Sequence, residues 1–119
     1  MIRFHHVNLG IPPGGVEAEA AFLTEVLGYS VATASGGLPA PAGAHWFEAS
    51  DGSQVHLSED PDHRAASRAH VAVVLGDQLQ AVVTRLRSRG TEVQMPDQRT
   101  PPVAFCRDPA GNRWELRGD

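Results

Sequence analysis

Four side chains of this sequence have the chemistry to hold one divalent metal ion together. His6 and His70 each open a stretch of similar sequence, and His56 and Glu115 lie near the ends of those two stretches. Imidazole nitrogen and carboxylate oxygen suit Zn, Ni, Co, Mn or Fe(II). Three nitrogens and one oxygen leave one or two open positions for water or for two substrate oxygens. A metal held in this way polarises a carbonyl, stabilises an enediolate or lowers the pKa of bound water.

The four residues stand at matched points of an internal repeat, whose halves align loosely at an offset of roughly 60 residues. The matches are His6 with His70, Gly28 with Gly90, Phe47 with Phe105, and His56 with Glu115. A lone histidine on an amphipathic strand is usually structural. Matched positions in both halves favour a shared role instead.

Apolar periodicity predicts the elements that position these residues. In the first half we expect a strand over 2–11, a helix over 16–27 that ends at Gly28, a short strand over 29–34, a loop over 35–43, and a hairpin of 45–49 with 54–58. A polar linker over 59–67 follows. In the second half we expect a strand over 69–75, an N-cap at Asp77, a helix that ends at Gly90, a short strand over 91–94, a loop over 95–102, and a hairpin of 103–107 with 113–117. The plan is therefore an α+β fold of two βαβββ modules.

Bulk composition bounds the function. A chain of 119 residues predicts one domain, built of modules 1–60 and 67–119. The net charge of −4 and the lack of a basic cluster argue against nucleic-acid binding. The sequence has no membrane-spanning apolar run and no signal-peptide pattern. Cys106 is the one cysteine, so an internal disulfide is impossible, and we expect a cytoplasmic protein.

The segment 105–116 carries the most specific pattern in the chain. It runs from an aromatic strand through Asp108-Pro109-Ala110-Gly111-Asn112 to a strand that bears Glu115. With the openings at His6 and His70, it resembles the vicinal oxygen chelate superfamily, which includes glyoxalase I, bleomycin resistance proteins and dioxygenases. The resemblance covers essentially the whole chain.

The resemblance implies a half-barrel-like mixed sheet in which two modules enclose a central cavity with a divalent metal ion. Carried over residue by residue, the metal ligands are His6, His56, His70 and Glu115, and catalytic roles fall to His56 and Glu115. Glyoxalase I enzymes usually have an acidic residue at the position of His56, where it serves as ligand and base. Short members of the superfamily are usually homodimers.

We therefore expect a glyoxalase-like metal-dependent enzyme, of the lyase, isomerase or thiol-transferase type, that acts on a small oxygen-chelating substrate. Substrate contacts are expected from Phe47, Phe105 and Arg117, and Arg113 is a further candidate for an anionic group. One alternative is an extradiol-type dioxygenase with Fe(II) on His6, His70 and Glu115. Another is a metal-free drug-binding protein. The fold alone does not choose among them.

Overall fold

The computed structural model describes residues 1–35 and 38–119, and the chain forms two compact units, Met1–Arg64 and Ala65–Asp119. Each unit combines a mixed sheet with a helix, so the predicted α+β class is confirmed. Among the described residues, no helix is long and apolar enough to cross a membrane.

The first unit has a four-stranded sheet and one helical segment. Strand β1 (His6–Ile11) is followed by α1 (Val16–Ala21), a π-helical continuation (Phe22–Leu27), β2 (Ser30–Val31), β3 (Ala34–Ser35), β4 (Leu38–Pro39), β5 (His45–Glu48) and β6 (Gln54–Glu59). The order in the main sheet is β1-β6-β5-β2, with β1 parallel to β6 and the other pairs antiparallel. Strands β3 and β4 pair only with each other. Gly28 ends the helix in the left-handed region, as predicted.

The second unit repeats the main sheet of the first with three strands instead of four. Strand β7 (His70–Val74) is followed by a 3₁₀ turn (Gly76–Gln78), α2 (Leu79–Ser88), β8 (Val103–Arg107) and β9 (Arg113–Arg117). The order is β7-β9-β8, again with the first strand parallel to the last and the hairpin antiparallel. The internal repeat read from the sequence is therefore a repeat of topology.

Several element bounds differ from the sequence prediction for local reasons. The first strand begins at His6 rather than at residue 2, because its partner β6 begins at Gln54. The short strand predicted over 91–94 is reduced to a single bridge between Gln94 and Phe105. The N-cap of α2 is Gln78, without a side-chain bond, rather than Asp77. The loop predicted over 35–43 includes β4, and its residues 36–37 lie outside the described residues.

One face of each sheet is buried with its helix. The buried apolar side chains of the first unit include Ile11, Leu23, Val26, Phe47, Val55 and Leu57, and those of the second include Val82, Leu86, Ala104, Cys106, Trp114 and Leu116. Strand alternation then directs the intervening residues to the opposite face. The four candidate ligands all lie on these opposite faces.

A buried aspartate fixes the last hairpin. Asp108 Oδ1 accepts hydrogen bonds from the backbone N–H groups of Ala110 and Asn112, and Oδ2 accepts one from the indole Nε1 of Trp114 at 3.0 Å. The turn therefore serves packing, and it sets the register that places Glu115.

Candidate functional site

Register brings the first pair of candidate ligands to one face of the first sheet. On β6, Gln54 lies opposite His6 and His56 lies opposite Asn8, while Trp46 of β5 flanks His56 on the other side. His6 and His56 are therefore diagonal neighbours on adjacent strands, which is within reach of two imidazole rings.

Three aromatic rings stack across these strands. The ring centroids of His6 and His56 are 4.0 Å apart with an interplanar angle of 11°, and those of Trp46 and His56 are 4.6 Å apart at 13°. The lone pairs of two nearly parallel imidazoles lie in separate planes, so both rings reach a common ion only if one of them turns. His6 is exposed, and turning it would break the 2.8 Å contact of its Nδ1 with Nδ1 of His5, whereas His56 is only 9% exposed.

A chain of two hydrogen bonds, through Gln54 to Glu48, holds the ring of His56. Its Nε2 is 2.7 Å from Oε1 of Gln54, and the Gln54 amide nitrogen donates in turn to Oε1 of Glu48 at 3.3 Å. Burial, followed by electrostatic repulsion from the neighbouring His6 and His5, lowers the pKa of His56 from its usual value of 6.5. His56 is therefore neutral at pH 7, the form required of a metal ligand or a base.

The second pair of candidate ligands meets on the second sheet. Glu115 lies opposite Ala72, so it is the diagonal neighbour of His70, as His56 is of His6. His70 Nδ1 donates to the carbonyl oxygen of Arg68 at 2.9 Å, because a carbonyl can only accept. In neutral His70 the unprotonated Nε2 then lies 3.5 Å from Glu115 Oε1. A proton on Nε2 makes this contact an ion pair, and in its absence a bound cation can occupy the space between the two acceptor atoms.

The donor atoms fit a divalent ion. Two ligands bound at about 2.1 Å to a tetrahedral ion lie roughly 3.4 Å apart, and Nε2 of His70 and Oε1 of Glu115 are separated by 3.5 Å. The bond from His70 Nδ1 to a backbone carbonyl is the outer contact that metal-binding histidines usually make. Within residues 1–35 and 38–119, no three such side chains form a group that could hold a metal ion.

Arg117 contacts the candidate ligand Glu115 rather than open space. Its Nη1 donates to Glu115 Oε2 at 2.9 Å, and its Nε donates to Asp119 Oδ1 at 3.0 Å. These bonds occupy the guanidinium and orient the carboxylate. Arg117, which we expected to contact substrate, therefore also orients Glu115, and its contact with substrate stays a prediction.

Arg113 has unused hydrogen-bond donors. Its guanidinium lies over the ring of Phe105, 4.7 Å from the centroid, and has no hydrogen bond or ion pair within the described part of the chain. Both residues line a cavity of about 560 Å³ together with Thr91 and Gln94. Arg113 lies directly opposite His70 in the sheet, beside the ligand pair.

The aromatic residues of the two hairpins lie on different faces of their sheets. Their positions show that Phe105 is equivalent to Trp46 and not, as the sequence alignment had it, to Phe47. Phe105 lies opposite Glu115, and its counterpart opposite His56 is Trp46. Phe47 is one residue further along, and alternation turns it into the core, where it is 3% exposed. Phe47, expected to contact substrate, is therefore a core residue, whereas Phe105 lies on the ligand face.

Comparison with known proteins agrees with this geometry. The model of the Glyoxalase/Bleomycin resistance protein/Dioxygenase superfamily matches residues 3–116. The chain belongs to this superfamily. Among curated proteins, none matches the sequence. The match of family and topology confirms the resemblance that the motifs carried.

Solved structures share the fold of this superfamily member at low identity. A Bacillus anthracis protein provisionally placed in the glyoxalase family is 25% identical with a TM-score of 0.79, covering 98% of this chain and 94% of that one. A glyoxalase/dioxygenase from Nostoc punctiforme is 23% identical with a TM-score of 0.78, over 97% and 89%. A variant of the fosfomycin resistance protein FosX from Listeria monocytogenes, in complex with Mn(II) and 1S,2S-dihydroxypropylphosphonic acid, is 17% identical with a TM-score of 0.77, over 100% and 94%.

Sequence reasoning missed two residues of this face, Gln54 and Glu48, and weighed Trp46 and Arg113 only as lesser candidates. Each lies in a cross-strand row with a candidate ligand. Pairing the predicted hairpins in register would have found them, since residues opposite a ligand share its face.

Proposed function

We propose that this superfamily member is a divalent-metal-dependent enzyme of the lyase, isomerase or thiol-transferase type. Its substrate is a small molecule that presents two oxygens to the metal. The proposal rests chiefly on one observation. His70 Nε2 and Glu115 Oε1 lie 3.5 Å apart, while the other nitrogen of His70 is committed to a backbone carbonyl and the other oxygen of Glu115 to Arg117.

The residues that would hold the ion are His6, His56, His70 and Glu115. When bound, the ion supplies Lewis acidity toward substrate oxygens. His6 and His56 belong to the first unit, and His70 and Glu115 to the second. We propose a homodimer as the functional form, and a cytosolic location because the single Cys106 gives no internal disulfide.

The side chains around the ligands have separable tasks. His56 is neutral at pH 7, because burial lowers its pKa, and it can take a proton from substrate or donate a lone pair. Arg117 holds Glu115 by one oxygen and so restricts rotation of the carboxylate. Glu115 therefore serves as a fixed ligand, and His56 serves as a ligand through its unprotonated nitrogen.

An anionic group on the substrate suits the neighbourhood of Arg113. The guanidinium has five donors in a planar fork that matches carboxylate or phosphonate, and its one ring contact is with Phe105. FosX, a relative by fold, was solved with a phosphonic acid that carries two hydroxyl groups. We infer that the substrate combines an anionic group at Arg113 with two oxygens that face the ligand pairs.

Metal content of untagged, dialysed protein tests the proposal. Elemental analysis should find about one divalent ion per chain, and His70→Ala and Glu115→Ala should each lose it. Ser58→Ala is the matched control, because Ser58 lies on the same face of the sheet as His56 but is not one of the proposed metal ligands. Metal retention by both ligand variants, or no uptake after loading with Ni, Zn, Mn and anaerobic Fe(II), would contradict it.

The same preparations separate the alternatives. Loaded protein should be screened with 2-oxoaldehydes and thiols, with epimerisable thioesters and with catechols. Oxygen uptake with a catechol on Fe(II)-loaded protein would identify the dioxygenase alternative. Tight binding of an antibiotic by metal-free protein would identify the drug-binding alternative.

A further inference from the structure

The orientation of the Gln54 side-chain amide is determined by what surrounds it. Its nitrogen lies 3.3 Å from Glu48 Oε1 and 3.5 Å from the carbonyl oxygen of Ala34, and both of these atoms only accept hydrogen bonds. Turning the amide over would place its oxygen against two other oxygens in a buried position, since Gln54 is only 5% exposed. The amide oxygen must therefore face His56.

This orientation decides which nitrogen of His56 carries the proton. Because Oε1 of Gln54 only accepts, Nε2 of His56 must donate across the 2.7 Å that separates them. A neutral imidazole has one N–H, so Nδ1 is left unprotonated. Nδ1 has no hydrogen-bond partner within the described part of the chain, and His56 lines a cavity of about 420 Å³ with Asn8 and Ser58.

We propose that Gln54, itself held by Glu48, is a positioning residue that fixes His56 as the Nε2–H tautomer and leaves Nδ1 to meet the metal ion. The inference rests on the proposed function and deepens it. Contacts of this kind orient a ligand ring and set its tautomer. In the second unit, neutral His70 has the opposite tautomer. Its Nδ1 donates to the carbonyl oxygen of Arg68, so its Nε2 carries no proton.

The residue types at two equivalent positions explain why the histidine–glutamine hydrogen bond belongs to the first unit. The second unit has Glu115 and Arg113 where the first has His56 and Gln54. A carboxylate at position 56 would only accept hydrogen bonds and would repel the oxygen of Gln54. With histidine there, an amide acceptor below the ring completes the hydrogen bonding. Trp46 and His6 cover the two ring faces, so rotation of His56 would cost both stacking contacts.

Nitrogen-15 spectroscopy of the full-length, metal-free protein tests the tautomer directly. We expect a protonated Nε2 with a hydrogen-bonded, slowly exchanging proton, and an unprotonated Nδ1. Titration with Zn²⁺ should then shift the Nδ1 resonance while the proton on Nε2 remains. A proton on Nδ1 in the metal-free protein, or loss of the Nε2 proton on Zn²⁺ binding, would overturn the proposal.

Variants separate positioning from simple structural support. Gln54→Leu should lose protection of the Nε2 proton and weaken Zn²⁺ binding by about tenfold or more. The exchanged pair Gln54→Glu with Glu48→Gln keeps an acceptor that faces Nε2 and a donor at position 48, and loses the bond to the carbonyl oxygen of Ala34, so it should retain most of the protection and of the Zn²⁺ affinity. A fall of both to the level of Gln54→Leu, in folded protein, would count against Gln54.

The two proposals fail in different ways. A protected Nε2–H in protein that takes up no metal would overturn the proposed function and support the tautomer assignment. Metal bound through Nε2 would support the function and overturn the assignment. The Ser58→Ala control should change neither the tautomer nor Zn²⁺ affinity, since Ser58 bonds to Asn8 rather than to His56.

Discussion

The two units place different side chains at equivalent positions of the same sheet. In the first, the row Glu48-Gln54-His6 runs across β5, β6 and β1, and in the second the equivalent row is Arg107-Arg113-His70. The next row is Trp46-His56-Asn8 in one unit and Phe105-Glu115-Ala72 in the other. The ligand positions are kept, whereas the residues beside them change from an amide and a carboxylate to two arginines. One unit therefore positions a neutral histidine, and the other presents positive charge.

The buried faces differ in a compensating way. Phe47 packs beside Val55 in the first unit, and at the same two positions the second unit has Cys106 and Trp114. The large residue has moved to the neighbouring strand, and a small one faces it in both cases. Because interiors are close-packed, the exchange conserves volume within each core. Repeat halves can thus diverge in the core without a change of topology.

The turns provide the largest expected contrast. Asp108 is buried and receives three hydrogen bonds, whereas Asp51 of the equivalent turn is exposed and bonds only to Ser53. Asp108→Ala should lower the free energy of unfolding by about 3 kcal/mol or more, because three hydrogen bonds to a buried charged group are lost. Asp51→Ala should cost under about 1 kcal/mol. Urea unfolding measures both, and equal losses would show that the turns are equivalent.

Ionisation of Cys106 gives the next effect. Burial, followed by the charge of Asp108, raises the pKa of the thiol from 9.0 to about 11. A raised pKa in the folded state stabilises the protein fully below pH 9, and this stability is lost as pH rises toward about 11. The loss should reach up to about 2 kcal/mol.

The comparison protein for this prediction is Cys106→Ala, which cannot ionise. The difference in free energy of unfolding between the two proteins, from urea titrations at pH 8 to 11, isolates the thiol from other titrating groups. Native protein should also react slowly with iodoacetamide at pH 8 and quickly in urea. A constant difference across this pH range, or fast native labelling, would mean that the thiol is accessible.

The parts of this molecule that the sequence predicts are those set by local pattern. The bounds of β8 and β9 agree with the prediction, because alternation and the Asp108 turn fix them together. The equivalence of His6 with His70 and of His56 with Glu115 was also read from the repeat, and the sheet register agrees with it. The face of Phe47 was predicted wrongly, because a loose alignment does not fix register to one residue and a one-residue shift inverts the face. The bonding of Gln54 and the difference between Arg113 and Arg117 depend on which side chains meet across strands, and no single segment encodes this.

Anion binding gives the smallest expected effect and the sharpest test of the arginine row. With Mn(II) present, binding of methylphosphonate should weaken about tenfold in Arg113→Ala, since a charge-assisted hydrogen bond is lost. Arg113→Lys should recover only part of this, because an ammonium cannot make the planar two-point contact. Isothermal titration measures both, with elemental analysis to show that the metal is retained.

Arg117 supplies the discriminating control within this experiment. Its guanidinium is bonded to Glu115 and Asp119, so Arg117→Ala should act through the carboxylate and reduce metal retention before it affects the anion. If Arg117→Ala instead weakened methylphosphonate binding at full metal occupancy while Arg113→Ala left it unchanged, the anion site would lie at Arg117. The two units would then differ at the ends of β6 and β9, where Ser58 and Arg117 are equivalent, rather than at Gln54 and Arg113.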